Sequence, residues 1–449
     1  MKKNYLKIAV GFAFIFQFGT SQAQSEYTTS EDLDIFDLSL EELLGVNVSE
    51  TNKFALYGFI NSNVERVFNE PSIDVNGNTI TENAPLEWSP LKNFHIYGSG
   101  ELSNKISVLF NIAAPDGEFT LRNAYGNFKI NDIFQVRVGK MYRKFGLYNE
   151  KLDQIPTFTG IEAPELFDTD HLFLTRTTTL MLHGNKSISN GQLSYALTSG
   201  NSEAGPSAKV LPLGWDLRFK SKDLGLVVGT SGFTSSINGE LTQSTVGFNA
   251  GSPKGGVLPW MDGDHYQVYG GFVEKKLGNF LIQAEYWASP HNAERNATNT
   301  LELIENGGIN EMQRANFLGE NAGIDNSLLT ENDIITKVNY TAQTAYIRLC
   351  YTINTKKGQF VPYFFYDWMS NPEVIQSKSW GGDNEAGLSD DGQFSKPSLG
   401  VVYRPIQSVA IKLDGSLHVQ EYNGQRTTYP EIRMDFSFAF DALKGVWTN

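Results

Sequence analysis

Cysteine is almost absent: Cys350 is the only one in 449 residues. A single thiol excludes an intrachain disulfide, and its distance from the N-terminus excludes a lipid anchor at a leader cleavage site. Long hydrophobic runs are missing as well. Beyond the first residues no segment approaches an uninterrupted apolar transmembrane helix, so any later membrane crossing has to be made by strands. The mean hydropathy of −0.29 is too polar for a helical membrane protein. Positive charge is in deficit, with 36 Lys and Arg against 50 Asp and Glu and a net charge of −14. Such a balance speaks against nucleic acid as a partner, because phosphates want a basic patch.

The short apolar run that does exist is at the start. Lys2, Lys3 and Lys7 form a positive region, Ile8–Phe16 an apolar one, and Ser21-Gln22-Ala23 offers small residues to a signal peptidase. This order predicts a signal peptide over 1–23, with cleavage before Gln24. Those residues hold three bases and no acid, so their loss makes the chain more acidic by three charges. Residues 24–53 then read as a short periplasmic segment. Within it Ser39 and Glu42 have capping-box spacing and Gly45 ends a short helix. The segment is too short for a plug domain.

What the rest of the chain has is alternation. From Glu431 to Phe440 one set is Ile432, Met434, Phe436, Phe438 and Phe440, and the other is Arg433, Asp435, Ser437 and Ala439. Between Val409 and Gln420, Val409, Ile411, Leu413, Leu417 and Val419 interleave with Lys412, Asp414, Ser416, His418 and Gln420. Period two puts the apolar set on one face and the polar set on the other. The lengths suit tilted strands crossing a bilayer, with lipid on one face and a water-filled lumen on the other.

The same pattern predicts sixteen strands, at 54–68, 93–103, 105–114, 119–131, 133–142, 176–186, 191–200, 213–221, 224–234, 264–275, 280–289, 340–353, 359–369, 396–405, 408–420 and 431–440. Short connections alternate with long ones at 69–92, 143–175, 201–212, 235–263, 290–339, 370–395 and 421–430, and only 115–118 breaks the rhythm. The fold class is therefore all-β, a transmembrane up-and-down antiparallel barrel over 54–440 with tight periplasmic turns, long external loops and a polar tail at 441–449. Tyr286, Trp287, Tyr351, Trp368, Tyr403 and Tyr422 lie near predicted strand ends and read as interfacial girdles. The loop at 290–339 reads as exposed chain. Asp383, Glu385, Asp390 and Asp391 in loop 370–395 lack EF-hand spacing. They read as a solvated loop bridged to lipopolysaccharide by divalent ions, with no cofactor and no dedicated metal site.

Val138-Gly139-Lys140-Met141-Tyr142-Arg143-Lys144-Phe145-Gly146-Leu147, the long loop after it, and Tyr195-Ala196-Leu197-Thr198-Ser199-Gly200-Asn201 resemble outer-membrane porins. They are most similar to the phosphate-selective porin O/P-like family. The resemblance implies a passive diffusion channel, often a homotrimer, in the outer membrane of a Gram-negative bacterium. It leaves the solute open.

For a porin, mechanism means pore radius and charge. Strand parity turns Arg137, Arg218, Arg348, Lys412 and Arg433 inward near mid-depth, with Glu285, Asp414 and Asp435 opposing them. In general porins the third external connection folds inward. Here that is 143–175, carrying Glu150, Asp153, Glu162, Glu165, Asp168 and Asp170 against Lys151 alone in its acidic stretch. The expectation is an acidic constriction loop facing a basic wall across a narrow gap, focusing a field on small hydrophilic or charged solutes. Lys140 and Lys144 fall on the lipid-facing parity unless a bulge shifts them.

Two other classes compete. An enzyme needs a Ser/His or Asp/His arrangement at one rim. His95, His171, His183, His265, His291 and His418 are scattered in the sequence with no nucleophile motif beside them. A substrate-specific channel for an oligosaccharide, or for an anion such as phosphate, is the stronger alternative, with Tyr346, Tyr269, Trp287 and Tyr125 as candidate inward aromatics.

Overall fold

The computed structural model describes residues 54–73, 79–114, 119–151, 159–164, 177–200, 211–238, 261–305, 309, 311–373, 392–422 and 424–441. The expected signal peptide 1–23, the segment 24–53 and most of the tail 441–449 lie outside them. So do Asp153, Glu165, Asp168 and Asp170, and Asp383, Glu385, Asp390 and Asp391 of loop 370–395.

Sixteen strands form one closed antiparallel barrel, as the alternation predicts. In chain order they are β1 Phe54–Val67, β2 Glu87–Ser103, β3 Ile106–Ala113, β4 Thr120–Lys129, β5 Gln135–Tyr142, β6 Thr177–Ile188, β7 Gly191–Ser199 and β8 Leu213–Ser221. Then come β9 Leu226–Asn238, β10 Met261–Leu277, β11 Phe280–Arg295, β12 Lys337–Tyr351, β13 Gly358–Ser370, β14 Gln393–Ile406, β15 Val409–Tyr422 and β16 Gln425–Asp441. A three-residue extension of β12, Ile353–Thr355, keeps pairing with β13. Each strand pairs with its sequence neighbours. β1 closes the ring on β16, in a register running from Tyr57↔Asp441 to Val67↔Glu431. Closure leaves no open edge, the requirement for a sheet surrounded by lipid.

Alternation decides which way each face turns. On β16, Ile432 and Phe438 are about half exposed while Arg433, Asp435 and Ser437 are buried inside. On β15, Leu417 is exposed and Lys412, Asp414 and Ser416 are buried. Opposite charges meet across this pair, at Lys412↔Asp435 and Asp414↔Arg433, which favours this register. At the short-turn end, Leu277 pairs with Phe280 around Gly278-Asn279. Gly278 has φ +59 there, a conformation that costs glycine little.

Three connections differ from expectation. The link at 421–430 is not long: Tyr422 pairs directly with Gln425. Gly424, at φ +65, lies in this reversal, and the sequence there is an Asn-Gly dipeptide, which favours a tight turn. The link after β1 carries a small separate hairpin, Glu70–Ile73 against Thr79–Glu82. Loop 290–339 is not exposed chain. β11 and β12 extend into it, and between them lie α1 Ala297–Glu305 and α2 Glu311–Leu318. Leu303, Ile304, Phe317, Leu318, Leu329 and Ile334 are buried in it. Arg295 anchors this cap: it bonds Glu373 at 2.6 Å and the carbonyl of Ile335 at 2.8 Å, and lies over the Phe317 ring at 4.7 Å.

Candidate functional site

The interior of the barrel is shaped first by a bulge. The β5–β6 register shifts between Val138 and Met141, and Gly139 sits at φ +131. A Cβ on Gly139 would run into the carbonyl of Ala124 and the backbone of Tyr125, so the bend needs glycine. Its effect is to separate the two lysines. Lys140 stays outside, its Nζ donating to the carbonyl of Leu121 at 2.8 Å. Lys144 is turned among Glu150, Arg137, Arg218 and Asp216.

From the bulge the chain runs into the barrel. Phe145 stacks on Trp287 at 4.2 Å and meets Phe233 edge-on at 5.5 Å. The Gly146 N–H donates to Ser231 Oγ at 3.2 Å, and the Leu147 N–H to Glu285 Oε1 at 2.9 Å. Glu285 also accepts from Trp287 Nε1 at 3.0 Å and Tyr346 Oη at 2.5 Å. One wall carboxylate therefore fixes both the loop backbone and two inward rings. Further on, Lys412 Nζ donates to the carbonyl of Gly160 at 2.9 Å. Glu162 receives Lys396 Nζ at 2.9 Å and is in contact with Arg433. The expected gap between acidic loop and basic wall is closed at this point by direct ion pairing.

Of the eight residues assigned inward by parity, seven are buried and Arg218 is half-buried. Arg137 lies over the Tyr125 ring at 4.6 Å. Arg218 is held bidentately by Asp216 at 2.7 and 2.8 Å and approaches Glu150 at 3.7 Å. Arg348, 0 % exposed, lies between the Tyr148 and Phe365 rings at 5.0 and 4.4 Å, and its guanidinium makes no hydrogen bond among the described residues. Arg433 bonds Asp414 Oδ1 at 3.1 Å, and Tyr363 Oη donates to Asp414 Oδ2 at 2.6 Å. Asp435 receives Asn61 Nδ2 at 2.7 Å.

Other inward residues escaped the sequence reading. Lys396 was placed at the first residue of its strand, whereas β14 begins three residues earlier, at Gln393. Tyr422, read as a girdle residue, is buried inside, and so is Trp287, which is read both as a girdle residue and as a candidate inward aromatic. Adjacent Tyr286 and Trp287 must face opposite sides of the sheet, and it is Tyr286 that is exposed. Tyr269, taken as a candidate inward aromatic, is exposed on the outer face, while Tyr346 is buried within.

The interior has two unlike halves. The described contacts of the loop run to β8, β9, β11, β12 and β14–β16, where Phe233, Phe272, Trp287, Tyr346 and Phe365 form one apolar cluster with Phe145 and Tyr148. The facing half, β1–β4, carries neutral polar groups: Asn61, Asn63, His95, Asn111 and Asn123 are all buried. Tyr57, Phe59 and Tyr97 form a small cluster among them.

The histidines are less scattered in space than in sequence. Ser289 Oγ is 2.9 Å from His291 Nε2, and His291 Nδ1 is 2.6 Å from Asp264 Oδ2. The order matches a Ser-His-Asp relay. However, Ser289 is 0 % exposed, and the imidazole is stacked against Tyr266 and Tyr340 at 5.2 and 4.4 Å. A nucleophile needs a substrate carbonyl within reach, so this trio braces the wall.

A closed sixteen-stranded antiparallel barrel with a long connection folded inside it is a porin-like architecture. No family model matches the chain, the O/P-like family included, and no curated protein matches its sequence. Among solved structures, the outer membrane channel DcaP of Acinetobacter baumannii is similar with a TM-score of 0.50 at 9% identity, over 86% of this chain and 97% of that one. An anion-selective porin from Comamonas acidovorans gives 0.49 at 10% identity, over 86% and 99%. Salmonella typhi OmpF in complex with daunomycin gives 0.48 at 12%, over 87% and 98%. At such identities the likeness concerns the fold.

Proposed function

We propose that the chain is exported through its leader and forms a channel for small hydrophilic or charged solutes, by passive diffusion, in the outer membrane of a Gram-negative bacterium. The observation that carries this reading is the loop after β5, held inside a closed barrel by Glu285, Lys412, Lys396 and Arg433. In this reading loop 143–175 is the constriction. The eight inward charges and Glu150 and Glu162 set the field that solutes cross. Asp153, Glu165, Asp168 and Asp170 add to the acidic side. The outer face meets lipid, the external loops meet lipopolysaccharide, and porin resemblance supports a homotrimer.

The test is current through a planar bilayer containing purified mature protein under a potassium chloride gradient. Stepwise ohmic openings are expected, grouped in threes for a trimer, and the reversal potential gives the sign of selectivity. Silence from folded protein would overturn the open-pore reading.

A further inference from the structure

We infer that the β1–β2 wall of the lumen is a recognition track for a neutral saccharide; the inference rests on the channel reading and names its solute class. On β1, Tyr57, Phe59, Asn61 and Asn63 share the inward parity. Asn61 is oriented by donating Nδ2 to Asp435 at 2.7 Å, and Asn63 by donating Nδ2 to Glu65 at 3.0 Å. A carboxylate can only accept, so both amides are fixed with Oδ1 turned the other way. Those two Oδ1 atoms and Tyr57 Oη are buried and have no hydrogen-bond partner among the described residues. Each residue is at least nine-tenths buried. Buried acceptors left unmatched cost about 1–3 kcal/mol each, so three on one strand face mark a surface made for a ligand rich in donors.

Aromatic surface lies beside them. Tyr57 stacks on Tyr97 across the strand pair at 5.0 Å and 5°, and Phe59 meets both edge-on at 6.1 and 5.6 Å. Tyr57 to Asn63 spans about 20 Å of strand at ~3.3 Å per residue. A track of that length with flat apolar rings and free acceptors fits a short oligosaccharide, whose hydroxyls donate and whose ring faces are apolar. The two acids that orient the amides are already engaged by them.

The experiment is block of single-channel current by maltotriose and by cellotriose, with spermidine as a charged donor for comparison. Wild type is compared with Tyr57→Phe, which removes only a hydroxyl, and with Asn63→Ala. Asn61 is left alone because it is the partner of Asp435. Saturable block by a trisaccharide is expected, and the two substitutions together should raise the half-blocking concentration about tenfold, equivalent to ~1.4 kcal/mol. Steady openings that neither trisaccharide blocks at millimolar concentration overturn the saccharide track and leave the channel reading standing. Block by spermidine alone also overturns it, in favour of a cation site. Should the protein conduct nothing, the channel reading fails, and titration calorimetry of the same trisaccharides into folded protein decides the track: binding weakened by Tyr57→Phe supports it, and no heat overturns it. Heat-modifiable gel migration establishes that each variant is folded.

Discussion

Glu162 is the residue on which the loop and the basic wall converge. Its carboxylate is the partner of two cations from different strands, Lys396 on β14 and Arg433 on β16, both nearly fully buried. Removing one member of a buried pair costs up to ~3–5 kcal/mol, and the 30 % exposure of Glu162 puts this case toward the low end. Glu162→Gln should therefore loosen the loop without unfolding the barrel, and should shift the reversal potential toward anions because two wall charges lose their counter-charge. A potential unchanged from wild type would show that Glu162 does not face the conduction path. The opposite sign is expected from Arg137→Gln and Arg348→Gln, which should move selectivity toward cations. Arg348 serves as the cleaner case: among the described residues its guanidinium makes no hydrogen bond, so the charge is lost without breaking any described pair. The inward charges were legible in sequence because parity is a two-residue rule that needs only a few well-placed residues per strand. Lys396 was missed as a mid-depth group because strand ends are fixed by pairing with β13 and β15, which the residues of β14 alone do not reveal.

Among elements, the β5 bulge does what no alternation pattern announces. Up to Val138 the strand follows parity; past Gly139 the phase changes, and Lys144 moves from the lipid-facing set to the interior. One glycine among 42 carries this switch, and nothing local distinguishes it from the turn glycines. The tertiary cause is the approach of Ala124 and Tyr125 on β4, which leaves no room for a side chain. Gly139→Val places a β-branched residue at φ +131, at a cost of order 1–3 kcal/mol before the clash is counted. The expected outcome is a lower urea midpoint for the folded barrel and a rise in conductance, as the loop loses its entry angle. An unchanged midpoint would mean that the bulge is not constrained. The cap between β11 and β12 was illegible for a related reason. Its helices are short and only weakly patterned, and they gain stability from packing against Arg295, Phe317 and the 3-10 turns rather than from propensity. The tight reversal between Tyr422 and Gln425, in contrast, is readable as Asn-Gly chemistry in the sequence, and it is hidden because the strands on either side extend further than a membrane crossing requires.

At the scale of the whole molecule, the open question is whether the loop is a fixed constriction or a moving gate. The barrel wall cannot change its radius without breaking ladder hydrogen bonds, so any gating has to come from the loop. Its anchors are spread over several strands: Ser231 on β9, Glu285 on β11, Lys412 on β15, Lys396 on β14 and Arg433 on β16. Breaking all of them at once would cost far more than a single ion pair, and the aromatic packing of Phe145 on Trp287 adds to this. On the channel reading proposed above, the loop is expected to act as a fixed constriction. The sole cysteine gives the test, because Thr159 in the loop lies near the Cys350 thiol in the wall. Thr159→Cys should form a disulfide with Cys350 on oxidation, tying the loop to β12. For a fixed constriction, the oxidised variant conducts as the reduced one does, and dithiothreitol changes nothing. Current that falls on oxidation and returns on reduction would show that the loop swings away from β12 during each opening. The conducting pore would then be wider than the structure's interior, and its selectivity would be set by wall charges freed of Glu162.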